Sequence, residues 1–201
     1  MNVEIRRHQI LEAAAHCARL SGFHGASMAE IAQAASLSVG QIYRYFENKE
    51  AIIAAIVAQD VAEMRERFSE LESSGEPLAE AIVDSCADSL ARNYDPDRAA
   101  LRLEVLAEAA RNSRVADIVR RDDEAERAFR LAILERIGLP GCSRRELVAR
   151  SEVVAMLFEG MVVRGIQNPN SDHAAITEVL RMVVSDLLRR RPCRADDPSL
   201  R

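Results

Sequence analysis

The chain has 201 residues, 48% hydrophobic and 29% charged, with a net charge of -5. That length and balance exclude a disordered or fibrous chain and fit one or two domains able to bury their own cores. The acidic balance excludes a protein coated in basic residues for non-specific nucleic-acid binding, but not a small local surface for it.

The longest nearly uncharged apolar runs, such as residues 51–59, fall far short of the roughly 20 residues that span a bilayer. The N-terminus enters an amphipathic pattern with Glu12 inside it rather than the apolar centre of a secretion signal, so a cytoplasmic protein with no membrane association is expected. Cys17, Cys86, Cys142 and Cys193 are far apart and form no CxxC or Cys/His spacing, which predicts free thiols, no metal site and no cofactor. The chain has 26 arginines and one lysine, Lys49. Within residues 1–50, Arg6, Arg7, Arg19, Arg44 and Lys49 balance Glu4, Glu12, Glu30, Glu47 and Glu50, and the acidic excess lies beyond.

Nearly every segment shows helical periodicity and none reads as a strand. A first helix over 3–21 carries Ile10, Ala14 and Cys17 on one face, and Gly22 follows as its stop, with Phe23 returning to the core. A second opens at Ser27, where Ser27 and Glu30 form a capping box, and Met28, Ile31, Ala32 and Ala35 give the inward stripe. Ser36 and Leu37 make a turn. A third, short helix over 38–46 opens on a second box, Ser38 with Gln41. A long fourth starts near Asn48, with Ile53, Val57, Met64, Phe68 and Leu71 inward, and breaks at residues 73–77. Helices over 77–93, 98–111 and 115–137 follow, separated by Asp95-Pro96-Asp97 and Asn112-Ser113. The last two, 144–166 and 172–189, are unusually apolar. The first of them is apolar nearly all round, so it is buried on more than one side, either in a fully internal hairpin or in a subunit interface. The interface candidates are Val154, Phe158, Val162, Ile176, Val179, Leu180, Val183 and Leu187.

The third helix carries a face with little use in a core. Ile42 and Phe46, at i and i+4, fill the interior with Leu37, while Ser38, Val39, Gly40 and Gln41 sit on the first turn, where a recognition helix meets base edges. Gly40 costs about 1 kcal/mol of helix propensity against alanine, a cost that fits the close approach of another backbone. Tyr43 and Tyr45 offer hydroxyls to phosphates, and Arg44 can reach phosphate or guanine.

This stretch resembles the N-terminal domain of the TetR family, the tetracycline-repressor-like transcriptional regulators. The resemblance covers roughly Ile10 to Ile56 and is most specific in SxGxIYxYFxNKE, Ser38 to Glu50. It implies an all-α fold of about nine helices. An N-terminal three-helix helix-turn-helix DNA-binding domain (1–50) precedes a larger helical ligand-binding and dimerisation domain (51–191), and a disordered tail (192–201) follows. It further implies that Ser27 and Lys49 bond phosphates, that Ser38, Val39, Gly40, Gln41 and Arg44 face bases or nearby phosphates, and that Tyr43 and Tyr45 hold the backbone. Two departures stand out: Leu37 lies where a glycine-valine turn is common, and Gln41 where threonine is frequent, so Gln41 could bond adenine in bidentate fashion.

The expected function is that of a ligand-responsive regulator, a repressor that binds a palindromic, inverted-repeat double-stranded DNA operator as a homodimer and is released by a small-molecule effector. An activator, or a helical binding protein without DNA function, are the alternatives. Pocket candidates are Cys86, Leu90, Tyr94, Leu103, Leu106, Phe129, Ile133, Phe158 and Met161, and their character predicts an apolar or amphipathic effector. No enzyme is expected: His8, His16, His24 and His173 show no triad-like or metal-like spacing.

Overall fold

The computed structural model describes residues 3–189. The tail expected over 192–201 lies outside them. Among the described residues there are ten helices and no strand, and no helix is long and apolar enough to cross a membrane. Ten replace the expected nine because the segment after Pro77 is two helices. Ser85 stands between them with ψ -1, its hydroxyl donating back to the Ile82 carbonyl at 2.8 Å, a bond that bends a helix.

The described residues form two compact units, and α4 and α8 contribute to both. The first takes the described part of Met1–Glu66 with Asp95–Glu124. It holds α1 (Val3–Gly25), α2 (Met28–Ala34), α3 (Val39–Ile42), the first part of α4 (Lys49–Ser73), α7 (Pro96–Ala109) and the first part of α8 (Ser113–Ile137). Ile10, Ala14, Phe23, Ile31, Ile42, Phe46, Ile52 and Ile53 build its core. Gly22 bends α1 instead of ending it: at φ 71 the chain kinks and one more turn follows, which carries Phe23 inward.

The sequence places a boundary at residue 50, where the helix-turn-helix motif ends, whereas packing groups α7 and the start of α8 with that motif. Polar contacts line this junction. Arg19 lies 3.7 Å from Asp97, and Arg98 reaches Asp60 and Glu63 at 3.0 Å each. Such partly exposed pairs contribute about 0–1 kcal/mol apiece. The larger share comes from Val105 and Val115, buried in the same core as α1 and α4. At the α7–α8 corner the side-chain amide of Asn112 lies 3.4 Å from both Glu50 and Glu108.

The second unit takes Arg67–Tyr94 with the described part of Ala125–Arg201. It holds α5 (Leu78–Asp84), α6 (Cys86–Asn93), α9 (Arg144–Gln167), α10 (His173–Leu188) and the remainders of α4 and α8. Cys86, Leu90, Leu134, Met161, Leu180, Val184 and Leu188 form its core. α9 crosses the end of α6 closely because residue 165 is glycine: a Cβ there would sit 3.0 Å from the Cα of Tyr94. Arg150 of α9 caps α10, donating to the carbonyls of Leu187 at 2.6 Å and Arg189 at 3.1 Å while Glu146 holds its guanidinium at 2.8 Å.

Candidate nucleic-acid interface

The two short helices of the motif are held by local hydrogen bonds that their sequence specifies. At the start of α2 the Ser27 N–H donates to Glu30 at 2.7 Å, and the Glu30 N–H donates to the Ser27 hydroxyl at 3.2 Å. The Glu30 carboxyl is held below its ordinary pKa, first by the Ser27 backbone N–H, next by the Ser27 side chain, and less by the charge of Lys49. α3 repeats the device: the Ser38 N–H donates to Gln41 Oε1 at 2.8 Å, and the Gln41 N–H donates to the Ser38 hydroxyl at 3.2 Å. α3 is a single turn, Val39–Ile42, shorter than the 38–46 expected, and residues 43–46 continue as a tight turn.

The connection between them is a helix-ending motif with an unusual residue in it. Leu37 N–H bonds the Ala32 carbonyl at 2.9 Å and Ser36 N–H bonds the Gln33 carbonyl at 3.0 Å, the pair of bonds that ends a helix when the next residue turns left-handed. That residue is Ser36, at φ 53, where glycine ordinarily sits. At this turn Leu37 packs against the core and Ser36 takes the strained conformation.

Side chains of α1 fix the motif from behind. Gln9 donates to the Ala35 carbonyl at 2.6 Å, and Arg7 donates to the Tyr45 carbonyl at 3.1 Å while its guanidinium lies 4.4 Å from the centre of the Phe46 ring. Sequence reasoning missed both residues. Their partners are backbone carbonyls 26 and 38 positions away, which no periodicity reveals.

Seven of the nine DNA-contact candidates are exposed: Ser27, Ser38, Val39, Gly40, Gln41, Tyr43 and Arg44. A Cβ at Gly40 would meet nothing within 4 Å, so no neighbour in the protein requires glycine there. The other two are half-buried. Tyr45 packs against the core while Tyr43 is 53% exposed, so the two tyrosines differ in what they can reach. The Lys49 ammonium donates to the carbonyls of Phe23, His24 (3.4 Å) and Ala26 (3.0 Å) at the end of α1, which engages all three of its protons.

In the second unit, five pocket candidates, Cys86, Leu90, Tyr94, Phe158 and Met161, belong to one apolar cluster. Ile133 is buried, and Phe129 meets Phe68 edge-on with ring centres 5.4 Å apart. Leu103 and Leu106 belong to the first unit, and Leu106 is exposed. Burial pushes the Cys86 thiol above its ordinary pKa, which makes it an inert core residue. The interface candidates also divide. Val162 and Leu180 are buried within the unit, Val154, Phe158, Ile176 and Leu187 are half-buried, and Val179 and Val183 are exposed. Val153, Met156, Val163 and Ile166 of α9 and Met182 of α10 are exposed as well.

A helix-turn-helix pinned to its own core, with an exposed first turn on α3 and a helical second unit, is the architecture of a bacterial one-chain regulator. Residues 10–56 match the family model of bacterial regulatory proteins, tetR family, and residues 73–190 match that of the tetracyclin repressor-like C-terminal domain. The chain belongs to the tetR family. It is 37% identical over 114 residues to the HTH-type transcriptional regulator UidR of Escherichia coli K12, and 30% identical over 103 residues to the HTH-type transcriptional repressor AcnR of Corynebacterium diphtheriae. These matches cover 57% and 51% of this chain, and the chain spans 57% and 50% of the length of those relatives. The solved structure of Salmonella enterica GusR aligns over 91% of this chain and 95% of its own, with a TM-score of 0.72 and 25% identity. A transcriptional regulator of Pseudomonas aeruginosa PAO1 shares the fold over 92% of this chain and 91% of its own, with a TM-score of 0.77 and 20% identity.

Proposed function

We propose that this chain is a cytoplasmic transcriptional regulator, a repressor that binds an inverted-repeat DNA operator as a homodimer and releases it when a small molecule binds the second unit. The observation that carries this reading is the outward first turn of α3. Val39, Gly40 and Gln41 with Tyr43 stand exposed on a motif whose other side is locked into the core by Ile42 and Phe46. A recognition helix presents such a turn to base edges in the major groove while flanking hydroxyls and arginines take phosphates. Ser27, Ser38, Tyr43 and Arg44 are exposed donors suited to that second role. Tyr45 and Lys49 act from behind, through packing and through the end of α1.

The dimer reading draws on α9 and α10. Val153, Met156, Val163 and Ile166 of α9 and Val179, Met182 and Val183 of α10 add exposed apolar area to these two helices, the kind of area at which chains join. A symmetric pair would cover it and set two α3 copies at a fixed spacing, which an inverted repeat mirrors. The effector is apolar or amphipathic, in keeping with a second-unit cluster of aliphatic side chains with Tyr94 and Phe158. It acts only by binding one arrangement of the reading heads better than the other.

The test is selection of bound fragments from the source genome, followed by fluorescence anisotropy on the enriched duplex at several salt concentrations. Enrichment of an inverted repeat, with affinity lowered at least tenfold by Tyr43→Ala, supports the reading. A chain that enriches no sequence, or binding indifferent to Tyr43→Ala and Gln41→Ala together, overturns it. A reporter downstream of the operator separates repression from activation.

A further inference from the structure

Asn112 joins two elements that lie 62 positions apart in the chain. Its backbone carbonyl accepts the Ala116 N–H at 2.9 Å and its Oδ1 accepts the Arg114 N–H at 3.1 Å, so it is the N-cap of α8. The second bond also orients the amide. The atom that meets an N–H donor is the oxygen, and the NH2 group is the other end. That NH2 group lies 3.4 Å from Glu108 Oε1, in the last turn of α7, and 3.4 Å from Glu50 Oε1, in the first turn of α4. It has two protons, one for each carboxylate. Glu108 is only 4% exposed, and a buried carboxylate requires such donors; Arg111 lies 3.6 Å from its other oxygen.

Glu50 belongs to the reading head. Only residues 47 and 48 separate the turn after α3 from α4, so the direction of α3 depends on how α4 begins. The first turn of α4 is gripped on two sides. Lys49 donates to carbonyls at the end of α1, and Glu50 takes the amide of the α7–α8 corner. Ile52 and Ile53 bury the same stretch, but apolar burial has no preferred direction, whereas a hydrogen bond does. We infer that Asn112 is a positioning residue for DNA recognition. By holding Glu50 it fixes the first turn of α4, and through that turn the angle at which α3 meets the duplex, without touching DNA itself.

The inference rests on the DNA-binding function proposed above, and the experiment separates the two. Fluorescence anisotropy is run with the full chain on the duplex that it enriches, at several salt concentrations. Asn112→Ser keeps a capping oxygen for α8 and loses the NH2 group with no change of charge. It is expected to weaken operator binding about tenfold, with base preference unchanged. Asn112→Asp, an equally good cap, turns a third carboxylate on Glu50 and Glu108 and is expected to weaken binding further. Glu50→Gln alone is expected to stay within about threefold of wild type, because its amide oxygen still accepts from Asn112. Combined with Asn112→Asp it reverses the polarity of the pair, Gln donating to Asp, and is expected to recover most of the lost affinity at high salt as at low. An effect of charge alone would make Glu50→Gln bind more tightly than wild type and would fade with salt; that result overturns the inference. So do Asn112→Ser and Asn112→Asp variants that bind like wild type, and a loss that Glu50→Gln does not repair, all with DNA binding left intact. Should Asn112→Asp fail to fold by circular dichroism, Asn112→Ser and Glu50→Ala decide: no further loss on combining them supports the link, and additive losses overturn it. Failure of the wild-type chain to enrich any duplex overturns both the inference and the DNA-binding function.

Discussion

The Lys49 ammonium donates to the carbonyl oxygen of Ala26 at 3.0 Å, and the same group also serves Phe23 and His24. The first residue of α4 thereby closes the end of α1, where carbonyls without helical partners and the negative end of the helix dipole both favour a cation. It does so one residue before the N-cap of α2, Ser27. The only lysine in the chain is thus a brace between three helices of the reading head.

Lys49→Met is expected to destabilise the fold by about 2 kcal/mol, the range for hydrogen bonds to a charged group, and to lower the melting temperature by about 5 °C. DNA affinity falls with it, because the head loosens. Circular dichroism melts read the first effect and anisotropy the second. A variant that melts like the wild type while binding DNA poorly would show that the lysine acts on phosphate and not as a brace.

Gly40 gives the opposite pattern. A Cβ at this position meets no protein atom within 4 Å, and alanine is the better helix former by about 1 kcal/mol. Gly40→Ala should therefore fold with equal or greater stability and yet bind the operator at least tenfold more weakly, since the added methyl stands where the duplex backbone or a base edge approaches. Unchanged affinity in a stabilised Gly40→Ala variant would remove Gly40 from the interface.

Ser36 carries strain that glycine would relieve. The left-handed conformation costs an ordinary residue roughly 1–2 kcal/mol, and Ser36 adopts it at φ 53. Ser36→Gly is expected to raise the melting temperature by about 3 °C with operator affinity within twofold of wild type. A drop in stability would mean that the serine side chain contributes more than its backbone costs.

On α10, Val179 is 59% and Met182 69% exposed. If this surface joins two chains, Met182→Glu places a charge against an apolar partner and should yield a monomer by size-exclusion chromatography with light scattering. Thermal stability of the monomer should stay near that of the parent at low concentration, because the side chain faces away from its own core. A dimer that survives Met182→Glu combined with Val179→Glu would place the interface elsewhere.

Local spacing along the chain is enough to set the helices, their order and the caps of the reading head. A period of 3.6 and partners three or four residues apart are short-range facts. They place Ile31 and Ile42 inside, and they specify both boxes, Ser27 with Glu30 and Ser38 with Gln41. The split at Ser85 is not legible in this way, because one hydroxyl turning back on Ile82 leaves no mark in the periodicity. The long-range bonds of the head's polar side chains are settled by folding alone. It pairs Gln9 with Ala35, Arg7 with Tyr45 and Lys49 with Ala26, sets Tyr43 outward and Tyr45 inward, and places Val105 and Val115 in the core of the head. The reason is physical. Those long side chains bond backbone carbonyls, every residue carries the same carbonyl, and only the folded chain determines which one lies within reach.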